Sequence, residues 1–93
     1  MEITEVKVFP VSEEKLKAYI SIVIDGCFVV RDIKVILGTA GLFVAMPSKK
    51  RKDGEYRDIA HPLNQETRER VERIILEAYQ AEVVRNAPEP SRP

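Results

Sequence analysis

The residue types best able to do chemistry are concentrated between Met46 and Pro62, "MPSKKRKDGEYRDIAHP". Lys49, Lys50, Arg51 and Lys52 are four cations in a row, Arg57 follows, and the single histidine, His61, stands just before Pro62. Adjacent cations repel one another unless an anion relieves them. Lysine offers a point charge and arginine a planar fork, and both suit phosphate oxygens. Tyr56 is the one aromatic nearby that could stack on a base, although it could equally face the core. The bland alternative is a solvated loop that keeps a strand edge soluble. The density of positive charge favours nucleic-acid binding over it.

Other chemistries find less support. His61 and Cys27 could form a thiol–imidazole pair, but a single cysteine is usually a small hydrophobe. One histidine and one cysteine are too few for a zinc site of the usual kind. Asp53, Glu55 and Asp58 are spaced a little like an oxygen-ligand loop, yet Lys52 and Arg57 would oppose a divalent ion there. The four glycines are scattered turn residues, not a phosphate-cradling loop. The sequence thus predicts no catalytic residues, no metal and no cofactor. His61 reads as structural, at a strand-to-helix junction.

The elements that must carry this segment follow from length and periodicity. Ninety-three residues make one domain, and a hydrophobic fraction of 44% supports one modest core. Fifteen basic and fifteen acidic side chains cancel, so attraction for an anionic partner must come from a local field. That field is local indeed: residues 47–64 carry five cations against three acids, whereas residues 65–84 carry three against five. One cysteine excludes an internal disulfide and suits a reducing cytoplasm. No apolar run reaches membrane-spanning length, and the acidic start lacks the features of a signal peptide, so a soluble, cytoplasmic protein is expected.

The first half reads as β-structure. Residues 3–9 are rich in β-branched and aromatic types and stop at Pro10. Residues 17–25 alternate, with Ala18, Ile20, Ile22 and Ile24 on one face. Asp25-Gly26 is a hairpin signal. The return strand begins at Cys27, and its apolar phase switches at Arg31-Asp32, which calls for a β-bulge or burial on both faces. Residues 38–41 form a turn, and residues 42–46 read as a buried strand ended by Pro47. A loop over residues 48–55 and a short strand over 56–60 follow. Then Val71, Ile74, Ile75 and Ala78 recur at helical spacing, and Asn64 can cap a helix running from about Gln65 to about Val84. Glu66–Arg70 and Glu69–Arg73 are spaced for i,i+4 pairing. Residues 85–93, rich in proline, read as a disordered tail.

The expected fold is α+β: an antiparallel β-sheet followed by one long C-terminal helix packed on it, a single domain over residues 1–84. One helix cannot cover both sheet faces, and the apolar run at 42–46 asks for cover, so a homodimer formed through the sheet is expected.

The stretch "GLFVAMPSKKRKDGEYRDIAHPLN", residues 41–64, resembles the central motif of the stage V sporulation protein G (SpoVG) family: G-L-F-V-A-M-P-S, a basic loop, D-G, an aromatic, then D-I-A-H-P. "MEITEVKVFPV" and "FVVRDIKVI" are similar to that family's first and third strands, so the resemblance spans residues 1–82. It implies a small dimeric bacterial regulator that binds DNA, and in some members RNA, linked to septum formation and, in spore-formers, to sporulation. It implies no catalytic activity and no cofactor. It places nucleic-acid contacts on the basic loop, here Lys49, Lys50, Arg51 and Lys52, with Arg57 beside them. This loop is richer in cations than in many relatives, which favours phosphate over base edges. The competing expectation is a protein–protein interaction module in division or developmental control, with no direct nucleic-acid contact.

Overall fold

The computed structural model describes residues 1–86. Six strands and one helix run in the order β1 (Ile3–Pro10), β2 (Leu16–Ile24), β3 (Phe28–Gly38), β4 (Gly41–Ala45), β5 (Ser48–Lys50), β6 (Tyr56–Asp58) and α1 (Gln65–Asn86). The first four form an antiparallel meander in sequence order, and β5 pairs only with β6 in a separate ribbon. The α+β architecture read from the sequence is therefore the one observed.

Local chemistry accounts for each element. Asp25 and Gly26 both take positive φ, 51° and 66°, as the tight β2–β3 turn requires. The turn is stitched to the first strand: the Glu2 amide donates to Asp25 Oδ1 at 2.9 Å, and the Gly26 amide donates to Thr4 Oγ1 at 3.0 Å. The phase switch in β3 is a bulge. Ile20 pairs with Ile33 and Ile22 with Val30, so Arg31 and Asp32 together oppose Ser21, and Asp32 sits at φ 63°. The extra residue returns Val30 and Ile33 to the same side of the sheet. Asn64 caps α1, its Oδ1 accepting from the Thr67 amide at 2.8 Å.

Alternation then builds one core. Ala18, Ile20, Ile22, Ile33, Val35, Val44 and Met46 from the sheet meet Val71 and Ile75 from α1, and no polar residue is buried among the described residues. The helix lies over one sheet face and packs on β1 and β4. The other face keeps Phe9, Tyr19, Val29 and Phe43 exposed.

Four expectations need correction. The strand at 42–46 is not buried on both sides: Val44 is 5% exposed but Phe43 is 45% exposed, because α1 reaches only one face. The ring of Phe43 lies across Gly38, where a Cβ would meet it at 3.0 Å. The helical ion pairs do not form; Arg70 instead donates to the Met1 carbonyl at 2.8 Å, and Glu69 accepts from Gln65 at 3.0 Å. The helix continues past Val84 to Asn86, so Arg85 and Asn86 belong to it and not to a tail. The rest of the expected tail, residues 87–93, lies outside the described residues. The last correction concerns residues 48–50, which are a strand and not a loop.

Candidate nucleic-acid interface

The basic segment is a ribbon that leaves the core at a buried stem. Met46 and Pro47 are buried, and every residue from Ser48 to Ile59 is exposed. The Ile59 amide donates to the Pro47 carbonyl at 2.7 Å and closes the base of the ribbon. At the far end the Arg51 amide donates to Glu55 O at 2.6 Å and the Gly54 amide to Arg51 O at 3.0 Å. Asp53 is used inside this turn, its Oδ1 accepting from the Glu55 amide at 3.0 Å.

Register decides which side chains share a face. Ser48 pairs with Asp58, Lys49 with Arg57, and Lys50 with Tyr56. Successive residues of a strand point to opposite sides. Lys49 and Arg57 therefore stand directly opposite each other on one face, while Lys50 and Tyr56 share the other. Like charges directly across a strand pair destabilise it. No carboxylate relieves this pair: the ion pairs among the described residues are Lys7–Glu5 and Arg85–Glu82. All five cations, with Asp58 and Ile59, border one shallow open concavity of about 550 Å³. An anion placed there meets several positive groups without displacing a carboxylate already bound to them.

The structure brings together all five cations singled out from the sequence. It adds one fact that the sequence reading missed, that Lys49 is the cross-strand partner of Arg57, and decides one left open, since Tyr56 is exposed and does not face the core. Asp53-Gly54 was the available signal, because such a dipeptide between short segments is a hairpin cue.

The remaining candidates lie elsewhere. Cys27 is exposed just after the β2–β3 turn. His61 follows the ribbon, and its Nδ1–H donates to the Pro62 carbonyl at 3.0 Å. His61 also borders an apolar groove of about 400 Å³ between the start of α1 and the sheet. Among the described residues no three histidine, cysteine, aspartate or glutamate side chains converge as metal ligands, and no helix is long and apolar enough to cross a membrane.

Comparison with known proteins agrees with the resemblance seen in the central motif. The SpoVG family model matches residues 1–81. A Bdellovibrio bacteriovorus protein named "Putative septation protein SpoVG" is 72% identical over 83 residues, covering 89% of this chain and 77% of its own. A protein of the same name from Anaeromyxobacter dehalogenans strain 2CP-C is 63% identical over 92 residues, with 99% and 91% covered. A third, from Agathobacter rectalis, is 57% identical over 84 residues, with 89% and 97% covered.

Proposed function

The chain belongs to the SpoVG family, and from that premise we propose that it is a bacterial regulator, linked to division septum formation, that acts by binding DNA or RNA through the β5–β6 ribbon. The observation that carries this reading is the set of five cations on one protruding ribbon, Lys49 facing Arg57, with no carboxylate among the described residues ion-paired to any of them. Such a surface recognises phosphate by charge and not by sequence. The link to septation rests on the name shared by the relatives. The protein works in the cytoplasm, without cofactor or catalysis.

The proposal includes a homodimer. The sheet face opposite α1 exposes Phe9, Tyr19, Val29 and Phe43, and a second copy laid against it would cover them. Two ribbons would then serve one polyanion. Light scattering at micromolar concentration should return twice the chain mass, and Phe43→Asp should return the mass of one chain.

Salt dependence tests the binding itself. With about four neutralising contacts per chain, a dimer should show a log–log salt slope of roughly −7 on duplex DNA. Replacing Lys49, Lys50, Arg51 and Lys52 together with Ala should flatten that slope and remove most binding while the protein stays folded. A folded quadruple variant that binds DNA and RNA as tightly as the wild type would overturn the reading. It would favour the protein-interaction alternative, in which the cations serve solubility or meet acidic side chains.

A further inference from the structure

Tyr56 is out of place in a ribbon built for charge. It is 69% exposed. It shares its face with Lys50, Ser48 and Asp58, and among the described residues no group is hydrogen-bonded to its hydroxyl. No residue between 48 and 59 is buried, so the ring is not there to seal a core. The ring has no core to cover, and its cross-strand partner is the cation Lys50. Arg57 is next to Tyr56 in the chain but on the opposite face, while Lys50 stands across the ribbon from it on the same face.

Chemistry selects the kind of polyanion. In a duplex each base is covered above and below by its neighbours, so a ring offered from outside has no π-face to meet. A ribbon laid in the major groove would meet base edges, which are read by hydrogen-bonding forks and amides. Against those edges Tyr56 offers one hydroxyl. A single strand has unstacked bases and a backbone that can turn. Stacking on aromatic side chains beside a cationic track is how such strands are commonly held. The ribbon supplies both parts within a few residues: Lys49, Lys50, Arg51, Lys52 and Arg57 for phosphate, Tyr56 for a base.

We propose that the ribbon prefers single-stranded nucleic acid to duplex, with one unpaired base stacked on the Tyr56 ring and the flanking phosphates on the cations. The proposal rests on the nucleic-acid reading above and narrows its ligand class.

The test is fluorescence anisotropy with one labelled oligonucleotide sequence in three forms: single-stranded DNA, single-stranded RNA and duplex DNA, at one salt concentration. Wild type, Tyr56→Ala, Tyr56→Phe and the quadruple cation variant are compared. The wild type should bind the single strands more tightly than the duplex. Tyr56→Ala should weaken single-strand binding by about 5- to 150-fold, the range expected for loss of one base–aromatic stack. It should change duplex binding less than about twofold, and Tyr56→Phe, which keeps the ring, should restore single-strand affinity. A loss confined to the DNA or the RNA strand also supports the proposal and assigns the ligand's sugar. Equal weakening of single strand and duplex, no weakening of either, or a wild-type preference for duplex would overturn it. Those failures differ from failure of the underlying reading, in which the wild type and the quadruple variant bind all three forms alike or not at all.

Discussion

The four-stranded sheet and the two-stranded ribbon use the same antiparallel pairing, yet they stand on different foundations. Beneath the sheet lies a core to which nine buried apolar side chains contribute, Ala18, Ile20, Ile33, Val35 and Ile75 completely. Beneath the ribbon lies solvent on both faces. A two-stranded hairpin alone is marginal in water. This one is held by the short β5–β6 ladder, with Pro47–Ile59 added at the stem and Arg51–Glu55 at the tip. The difference teaches where a charge cluster can be placed. Four consecutive cations would disrupt any strand of the sheet, because alternation would drive half of them into the core. On the ribbon they cost the core nothing, and the only repulsion is their own.

The sheet side of this comparison should give the largest effects. Ile75→Ala removes a fully buried side chain where helix and sheet meet, and should lower stability by about 2–5 kcal/mol in a denaturant titration. Much of the total stability of so small a domain is of that order. Arg73→Ala, on the exposed face of the same helix, should cost less than about 0.5 kcal/mol. Equal losses at both sites would mean that the helix is not anchored as described. A step smaller, Asn64→Ala removes the oxygen that accepts the Thr67 amide and should cost about 1 kcal/mol. Asn64→Asp, which keeps an oxygen acceptor there, should restore most of it.

The two regions also differ in how far they could be read from sequence. The β2–β3 hairpin was largely legible, since Asp25-Gly26 marks the turn and the phase switch at Arg31-Asp32 leaves a bulge or burial on both faces, of which the structure has the bulge. Both signals exist because one face of those strands is buried, and burial is what imposes alternation. The ribbon has no buried face, so Ser48, Lys49 and Lys50 carry no alternation and read as a loop. The cations were visible as a cluster, but their pairing was not, because register is a property of two segments and only Asp53-Gly54 hinted at it. At β4 the error ran the other way. Phe43 and Ala45 are apolar yet point to the helix-free face, and an unbroken apolar run cannot reveal that one of its sides is open. The helical ion pairs failed for a simpler reason: spacing permits a contact, but Arg70 found the Met1 carbonyl instead.

The smallest predicted effect sharpens the comparison most, because it separates the ribbon from the sheet energetically. Lys49→Glu turns the like-charged Lys49–Arg57 pair into an opposite-charged one at the same cross-strand position. Opposed like charges are unfavourable and opposite charges favourable by a few tenths of a kcal/mol up to about 1 kcal/mol. The ribbon should therefore close more firmly by about 0.5 kcal/mol at low ionic strength. It protrudes from the core, so this gain should appear as local protection and not as global stability. Hydrogen exchange at the Arg51 amide, which donates to Glu55 O within the ribbon, should slow by about twofold, a gain that shrinks as salt screens the pair. The melting temperature should stay unchanged, since Lys49 and Arg57 are both exposed. Nucleic-acid affinity should move the opposite way, because the substitution removes one cation and sets a carboxylate against the next. Slower exchange with weaker binding would show that the unrelieved charge is kept for the ligand. A rise in melting temperature matching the local gain would instead show that ribbon and sheet unfold as one unit, and the contrast between them would fall.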